Sequence, residues 1–172
     1  MLLRWSAEEP VQSGQWRMYS TESNVATSDY QDYDREITRL ASQWLREEAP
    51  RLTQPWVLYV SYTSAHPPFS VPQRFWDMYP LEDMPLPVAF REGSRPEHPA
   101  YQHLRHTKGI RVLGKEDETM LKQVAAGYYG LITHLDEQIG EVMQSAHTQG
   151  LMETTRLVYT SDHGESYGNH GL

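Results

Sequence analysis

Trp56-Val57-Leu58-Tyr59-Val60-Ser61-Tyr62 is the stretch whose reading decides the fold. Bounded by Pro55 on one side and Thr63-Ser64 on the other, it predicts a β-strand. Its near-continuous apolar character predicts burial on both faces, as in a parallel sheet. Upstream, Tyr30, Tyr33, Ile37, Leu40, Ala41, Trp44 and Leu45 recur at three- and four-residue steps and predict one face of a helix. Ser28 with Gln31 reads as a capping box and Pro50 as the stop. Residues 1–27 are polar and aperiodic, and read as an amino-terminal loop preceding a domain over 28–172.

Downstream, residues 63–114 carry most of the chain's eleven prolines, together with His66, His98, His103 and His106. A connection of this length inside a domain is more often a functional loop than a spacer. Helical spacing returns from Glu116 to Gln149, with Met120, Leu121, Val124, Tyr128, Leu131, Ile132, Leu135, Ile139, Val142 and Met143 as its stripe. Gly150 is the natural C-cap. Arg156-Leu157-Val158-Tyr159-Thr160 then predicts a second strand, running into Ser161-Asp162-His163-Gly164-Glu165. Helix, strand, long loop, helix, strand is half of an α/β sandwich. Two buried strands do not make a stable sheet alone, so the chain reads as a piece of a larger sheet.

Composition narrows the partners. The 172 residues are 38% hydrophobic, enough for a core, and carry a net charge of −8. Such an acidic chain is a poor ligand for nucleic acid or an anionic membrane. The absence of cysteine excludes disulfides, thiolate zinc sites and a cysteine nucleophile within these residues. No run approaches the roughly 18 apolar residues of a membrane span. The start turns polar at Ser6 before an apolar signal core develops, so the pattern sets no compartment, with the cytoplasm the default. Oligomeric state is not encoded in it either.

In open α/β sheets, ligands bind beyond the carboxyl ends of the strands. Two polar clusters fall there. Ser64-Ala65-His66-Pro67-Pro68-Phe69 is either a proline-stiffened turn with an exposed His or a loop that presents His66 for chemistry. In the second, Asp162 and His163 would point to opposite faces of a continuing strand and reach one metal only if the backbone bends, which Gly164 permits. A carboxylate with an imidazole suits Mn²⁺, Zn²⁺ or Ca²⁺. The bland alternative has Asp162 capping a turn and His163 on the surface.

The run Thr160-Ser161-Asp162-His163-Gly164-Glu165, followed by Gly168-Asn169-His170-Gly171-Leu172, resembles the second metal-binding segment of sulfatases in the alkaline-phosphatase superfamily. Tyr128-Tyr129, Asp136, Gly140, Gly150-Leu151 and Leu157-Val158-Tyr159 match the order upstream of it, and His66-Pro67-Pro68-Phe69 matches the family's His-x-Pro-Phe loop. Pro72 and Tyr79-Pro80-Leu81 resemble the iduronate-sulfatase and choline-sulfatase branches. The resemblance implies part of an alkaline-phosphatase-like α/β/α sandwich with a mostly parallel sheet, incomplete in this chain, and 63–114 as an active-site loop. It implies one divalent metal ion (Ca, Mn or Mg) held in part by Asp162 and His163. It implies His66 as the group that contacts the sulfate or leaving-group oxygen of a small-molecule sulfate ester. Charge builds on those oxygens as the ester breaks, and a Lewis acid and a proton donor stabilise it where it develops.

Three features depart from the family. Its nucleophile, a Cys or Ser in Cys/Ser-x-Pro-x-Arg matured to formylglycine, has no cysteine counterpart here. Ser70-Val71-Pro72-Gln73-Arg74 fits the pattern by letters but falls after the His-x-Pro-Phe loop and lacks the helix start that should follow. The Asp-Asp pair that supplies the remaining metal ligands is missing, and the family Lys would fall just after Leu172. The expected picture is an interior sulfatase fragment that is inactive alone. A phosphonate monoester or phosphodiester hydrolase of the same superfamily and a non-catalytic metal-binding domain remain alternatives. Glu165 reads either as a partner orienting His163 or as an exposed carboxylate, and His98, His103 and His106 as a solvated surface rather than a second metal site.

Overall fold

The computed structural model describes residues 25–94, 97–108 and 113–171; most of the amino-terminal loop read over 1–27 lies outside them. Two long helices dominate, α1 (Asp29–Glu47) and α4 (Glu118–Thr148), packed on one another. Between them the long connection is not structureless: it carries α2 (Gln73–Trp76), a 3₁₀ turn at Leu81–Asp83 and α3 (Pro99–Lys108). No helix among the described residues is long and apolar enough to cross a membrane.

α1 begins where the sequence predicts, with Ser28 extended at the N-cap, Asp29 and Asp32 in the first turn, and Arg46 in the last to complement the helix dipole. The capping box does not form. The Ser28 side chain makes no cap bond, and the Gln31 amide donates instead to the Ser70 carbonyl at 2.6 Å. The buried face also differs from the apolar stripe. Gln31, Asp34, Thr38, Ala41, Ser42 and Leu45 face inward, while Tyr33 and Leu40 are 54% and 47% exposed. Apolar periodicity misplaced this face because its first half binds backbone groups of a loop rather than an apolar core.

α4 follows its stripe more closely, and Gly150 closes it at φ 69°, with its N–H donating to the His147 carbonyl. Small residues at Ala125, Ala126, Gly127 and Gly130 open a flat patch in the middle of the helix. Across it lie Phe69 and Val71, both fully buried, which join Phe75, Val124 and Leu131 in one core cluster. A second cluster, Leu45, Ala49 and Ala146, closes the other end of the helix pair against Trp44, Trp56 and Leu58.

Neither expected strand is realised. Among the described residues β pairing is confined to two isolated parallel bridges, Val25 with Val71 and Arg91 with Leu113. Residues 56–62 keep the alternation of an extended chain: Trp56 and Leu58 pack on the helices, while Val57 and Tyr59 are 94% and 84% exposed. Val158 and Tyr159 are exposed as well. A strand exists only by pairing its N–H and C=O groups with a neighbour. These segments find none among the described residues, and the burial expected on both faces is met on one face of 56–62 only.

Gly127 and Gly140 separate packing from propensity on the same helix. A Cβ at Gly127 would stand 2.4 Å from the Phe69 carbonyl oxygen, whereas one at Gly140 would meet nothing within 4 Å. Gly127→Ala should therefore lower the unfolding free energy by about 1–3 kcal/mol through overpacking. Gly140→Ala should raise it by roughly 0.5–1 kcal/mol, the helix-propensity gain. Urea denaturation reads both, and an unperturbed Gly127→Ala would mean that residues 69–71 do not lie on α4.

His134 provides a pH-dependent check. It is buried on α4 with its ring edge-on to Phe75 at 5.1 Å, and its Nδ1 has no hydrogen-bond partner among the described residues. Burial, helped by the Arg35 charge, pushes its pKa below the usual 6.5, against the pull of Asp34 and Glu137. The unfolded chain thus binds a proton that the folded chain refuses, so stability is present above the ordinary value and falls as pH drops below about 6.5. Thermal melts at pH 7.5 and 5.5 should show a smaller acid loss in His134→Leu than in the native chain; equal losses would refute the assignment.

Candidate functional site

His66 sits in a loop held mainly by α1. The buried Asp34 carboxylate accepts the backbone N–H groups of Thr63 at 2.8 Å and Ser64 at 2.9 Å. One turn on, Thr38 Oγ1 lies 3.2 Å from the Tyr62 hydroxyl, and one turn back Gln31 holds Ser70. Leaving a buried N–H without its acceptor costs about 1–3 kcal/mol, so the two Asp34 bonds are a substantial constraint. Sequence reasoning missed all three side chains. Their signal was present in the polar residues at 31, 34 and 38, spaced as one helix face.

The imidazole itself is exposed and oriented locally. Its Nδ1 lies 2.6 Å from the Pro67 carbonyl oxygen. A carbonyl only accepts, so Nδ1 carries the proton in that bond and Nε2 is the nitrogen left to act on a substrate. The Tyr30 ring stands edge-on to the imidazole at 5.8 Å. Peptide bonds Ser64–Ala65 and Pro67–Pro68 on either side of His66 are cis. Ser70, the residue that fits the nucleophile pattern by letters, is only 7% exposed and serves the loop through its carbonyl. A nucleophile must reach its substrate, and burial argues against Ser70 in that role.

Asp162 and His163 do come together. The backbone bends at Asp162 itself, while Gly164 has no left-handed φ, so the glycine is not what permits the bend. His163 Nε2 lies 3.5 Å from Asp162 Oδ2, and its Nδ1 meets the Gly164 carbonyl at 3.0 Å. That carbonyl and the Asp162 charge raise the His163 pKa. Neighbouring ligands of one cation, each about 2.0–2.4 Å from it, stand roughly 3 Å apart, so the pair fits the bite of a single metal. A backbone carbonyl on the remote nitrogen is also the usual support of a metal-binding imidazole. The ring is thus oriented by Gly164. Among the described residues no third His, Asp or Glu joins the two in a group that could hold a metal.

Tyr128 ties the two clusters together. Its ring meets Phe69, from the His66 loop, at 5.4 Å and stacks on Tyr167, from the Asp162 segment, at 5.5 Å. Burial and the nearby Glu165 charge push its pKa up, so it stays a neutral phenol near pH 7. Beyond Tyr167, the Val88 N–H donates to Asn169 Oδ1 and the Val88 carbonyl accepts the His170 N–H, which docks the turn on the long loop. Just before α3, His98 is exposed and accepts the Ala100 N–H through Nδ1, and on α3 His103 is half-buried. The His106 side chain lies outside the described residues.

With this geometry in place, comparison with known proteins gives the class. The Sulfatase family model matches residues 4–172, and the chain belongs to that family, with the alkaline-phosphatase-like fold this implies. The chain is 34% identical over 129 residues to the multifunctional alkaline phosphatase superfamily protein PehA of Trinickia caryophylli, covering 69% of the chain and 25% of that protein. It is 32% identical to the arylsulfatase of Clostridium perfringens (strain 13 / Type A), covering 74% and 25%. It is 28% identical to the choline-sulfatase of Rhizobium meliloti (strain 1021), covering 82% and 28%. The chain spans about a quarter of the length of these relatives.

Two ligands leave most of a cation's shell to water, and hard cations take six to eight oxygen ligands. Titration calorimetry of the chain with Mn²⁺ or Ca²⁺ should accordingly show little heat at micromolar metal. Tight stoichiometric binding abolished by Asp162→Ala would show a more complete site.

Proposed function

We propose that this chain supplies part of the active site of a metal-dependent sulfuric ester hydrolase that acts on a small-molecule sulfate monoester. The observation that carries the reading is the His66 loop, where a backbone carbonyl holds Nδ1 and the ring is presented to solvent on a loop clamped from behind. Membership of the family supports it. As the imidazolium, with Nδ1–H held by the Pro67 carbonyl, His66 would donate from Nε2 to the sulfate or to the departing ester oxygen, where negative charge develops as the S–O bond breaks. Asp162 and His163 would hold one divalent cation (Ca, Mn or Mg), which when bound supplies Lewis-acid stabilisation of the same charge. The formylglycine nucleophile and the remaining carboxylate ligands would come from residues that this chain does not contain.

A broader ester scope has one observation in its favour, the resemblance to a relative described as multifunctional. A phosphonate monoester or phosphodiester is the substrate class that reading would add.

The test uses a full-length sulfatase that carries these residues, assayed with 4-nitrophenyl sulfate and 4-nitrophenyl phenylphosphonate. His66→Ala should lower kcat/KM on the sulfate by about 10²–10⁴-fold, the range of a positioned acid or oxyanion donor. Its melting temperature should barely move, because the ring is exposed. A native rate in that variant would reduce the loop to a structural turn, and a faster phosphonate rate would favour the broader scope.

A further inference from the structure

We propose that Asp34 is a positioning residue for His66, acting through the backbone of Thr63 and Ser64 rather than by contact with substrate. The inference rests on the role given to His66 above and deepens it. Asp34 is fully buried, on a helix that meets the His66 ring itself only through the edge of Tyr30 among the described residues, and both of its carboxylate oxygens are committed to the loop backbone. Oδ1 takes the Thr63 N–H and Oδ2 the Ser64 N–H, so the carboxylate grips two consecutive peptide groups and sets their rotation as well as their distance. Charge-assisted bonds of this kind are shorter and stronger than neutral ones.

The grip lies two residues before His66, and the loop is closed again from the Thr63 carbonyl, which accepts the His66 N–H at 3.0 Å. A shift of the Thr63 peptide therefore passes directly to the His66 backbone. The same helix face adds Thr38 against Tyr62 and Gln31 against Ser70, before and after the histidine, so the loop is fixed at both ends, with the Asp34 bonds lying closer to His66 along the chain than the Gln31 and Thr38 contacts. A buried carboxylate is a costly way to fill space, and an apolar residue would pack at this helix position with less desolvation. What only a carboxylate does here is accept two parallel N–H groups at once.

Asp34→Asn keeps the shape but turns an amide N–H₂ toward one of the two backbone donors, removing one bond. In the 172-residue chain, hydrogen exchange at Thr63 or Ser64 should quicken at least tenfold, while the helical circular dichroism is retained. In the full-length sulfatase, kcat should fall about 10–100-fold with KM changed less than threefold, the scale expected when a catalytic group is displaced by an ångström or less. The decisive measurement is the double variant. In a His66→Ala background, Asp34→Asn should cost less than a further twofold, because a residue that acts through His66 has nothing left to position. Where Asp34→Asn does not fold, an α-hydroxy acid at position 64 replaces the Ser64 N–H by an ester oxygen with Asp34 intact, and the same kcat loss is expected. Full kcat in either variant, or losses that multiply in the double variant, would overturn the proposal. If His66→Ala itself is fully active, the role given to His66 fails first, and the exchange data still report whether Asp34 holds the loop.

Discussion

The Phe69 carbonyl rests on α4 at a place where any side chain larger than hydrogen would collide with it. Gly127 creates that space, and Gly130 extends it toward Val71. Because the loop backbone reaches the helix itself, Phe69 and Val71 are fully buried and α2 follows at a fixed place, with Phe75 against His134. Close approach also limits how far the segment just before it can move. The His66 loop is therefore seated from below by an apolar contact with α4.

From the other side, α1 uses two chemistries along one face. Its second half, with Ala41 and Leu45, packs conventionally toward α4, whereas its first half presents Gln31 and Asp34 to backbone groups of 63–70 and Thr38 to the Tyr62 hydroxyl. Loop peptides that turn away from any sheet need partners, since unpaired backbone groups are costly once water is excluded. The helix supplies them as side chains. One helix thereby secures the loop through side-chain bonds at 31, 34 and 38.

The two candidate histidines share a local design. In each, Nδ1 meets the carbonyl of the next residue, Pro67 for His66 and Gly164 for His163. A neighbouring carbonyl chooses the tautomer and leaves Nε2 to face away from it, on the exposed His66 ring in one case and beside the Asp162 carboxylate in the other. The shared anchor is Tyr128, whose ring touches Phe69 and Tyr167 on the segments that carry them. Orientation is thus settled within two residues of each ring, and placement is settled through α4.

The extents of α1 and α4 and the Gly150 cap followed from the chain alone, because periodicity, caps and breakers act within a few residues, whereas α2 and α3 inside the long connection did not. The candidate residues His66, Asp162 and His163 were also legible, since their setting in short motifs is a local property. Three matters needed the tertiary structure. The inward face of α1 is polar because its partner is a loop backbone, which no apolar count reveals. The bend that joins Asp162 to His163 falls at Asp162 rather than Gly164. Residues 56–62 and 156–160 have the composition of strands but find no partner strand among the described residues, because a strand is defined by hydrogen bonds to another segment and composition cannot supply the partner. What a residue prefers is written in its own chemistry; what it meets is decided by the rest of the chain.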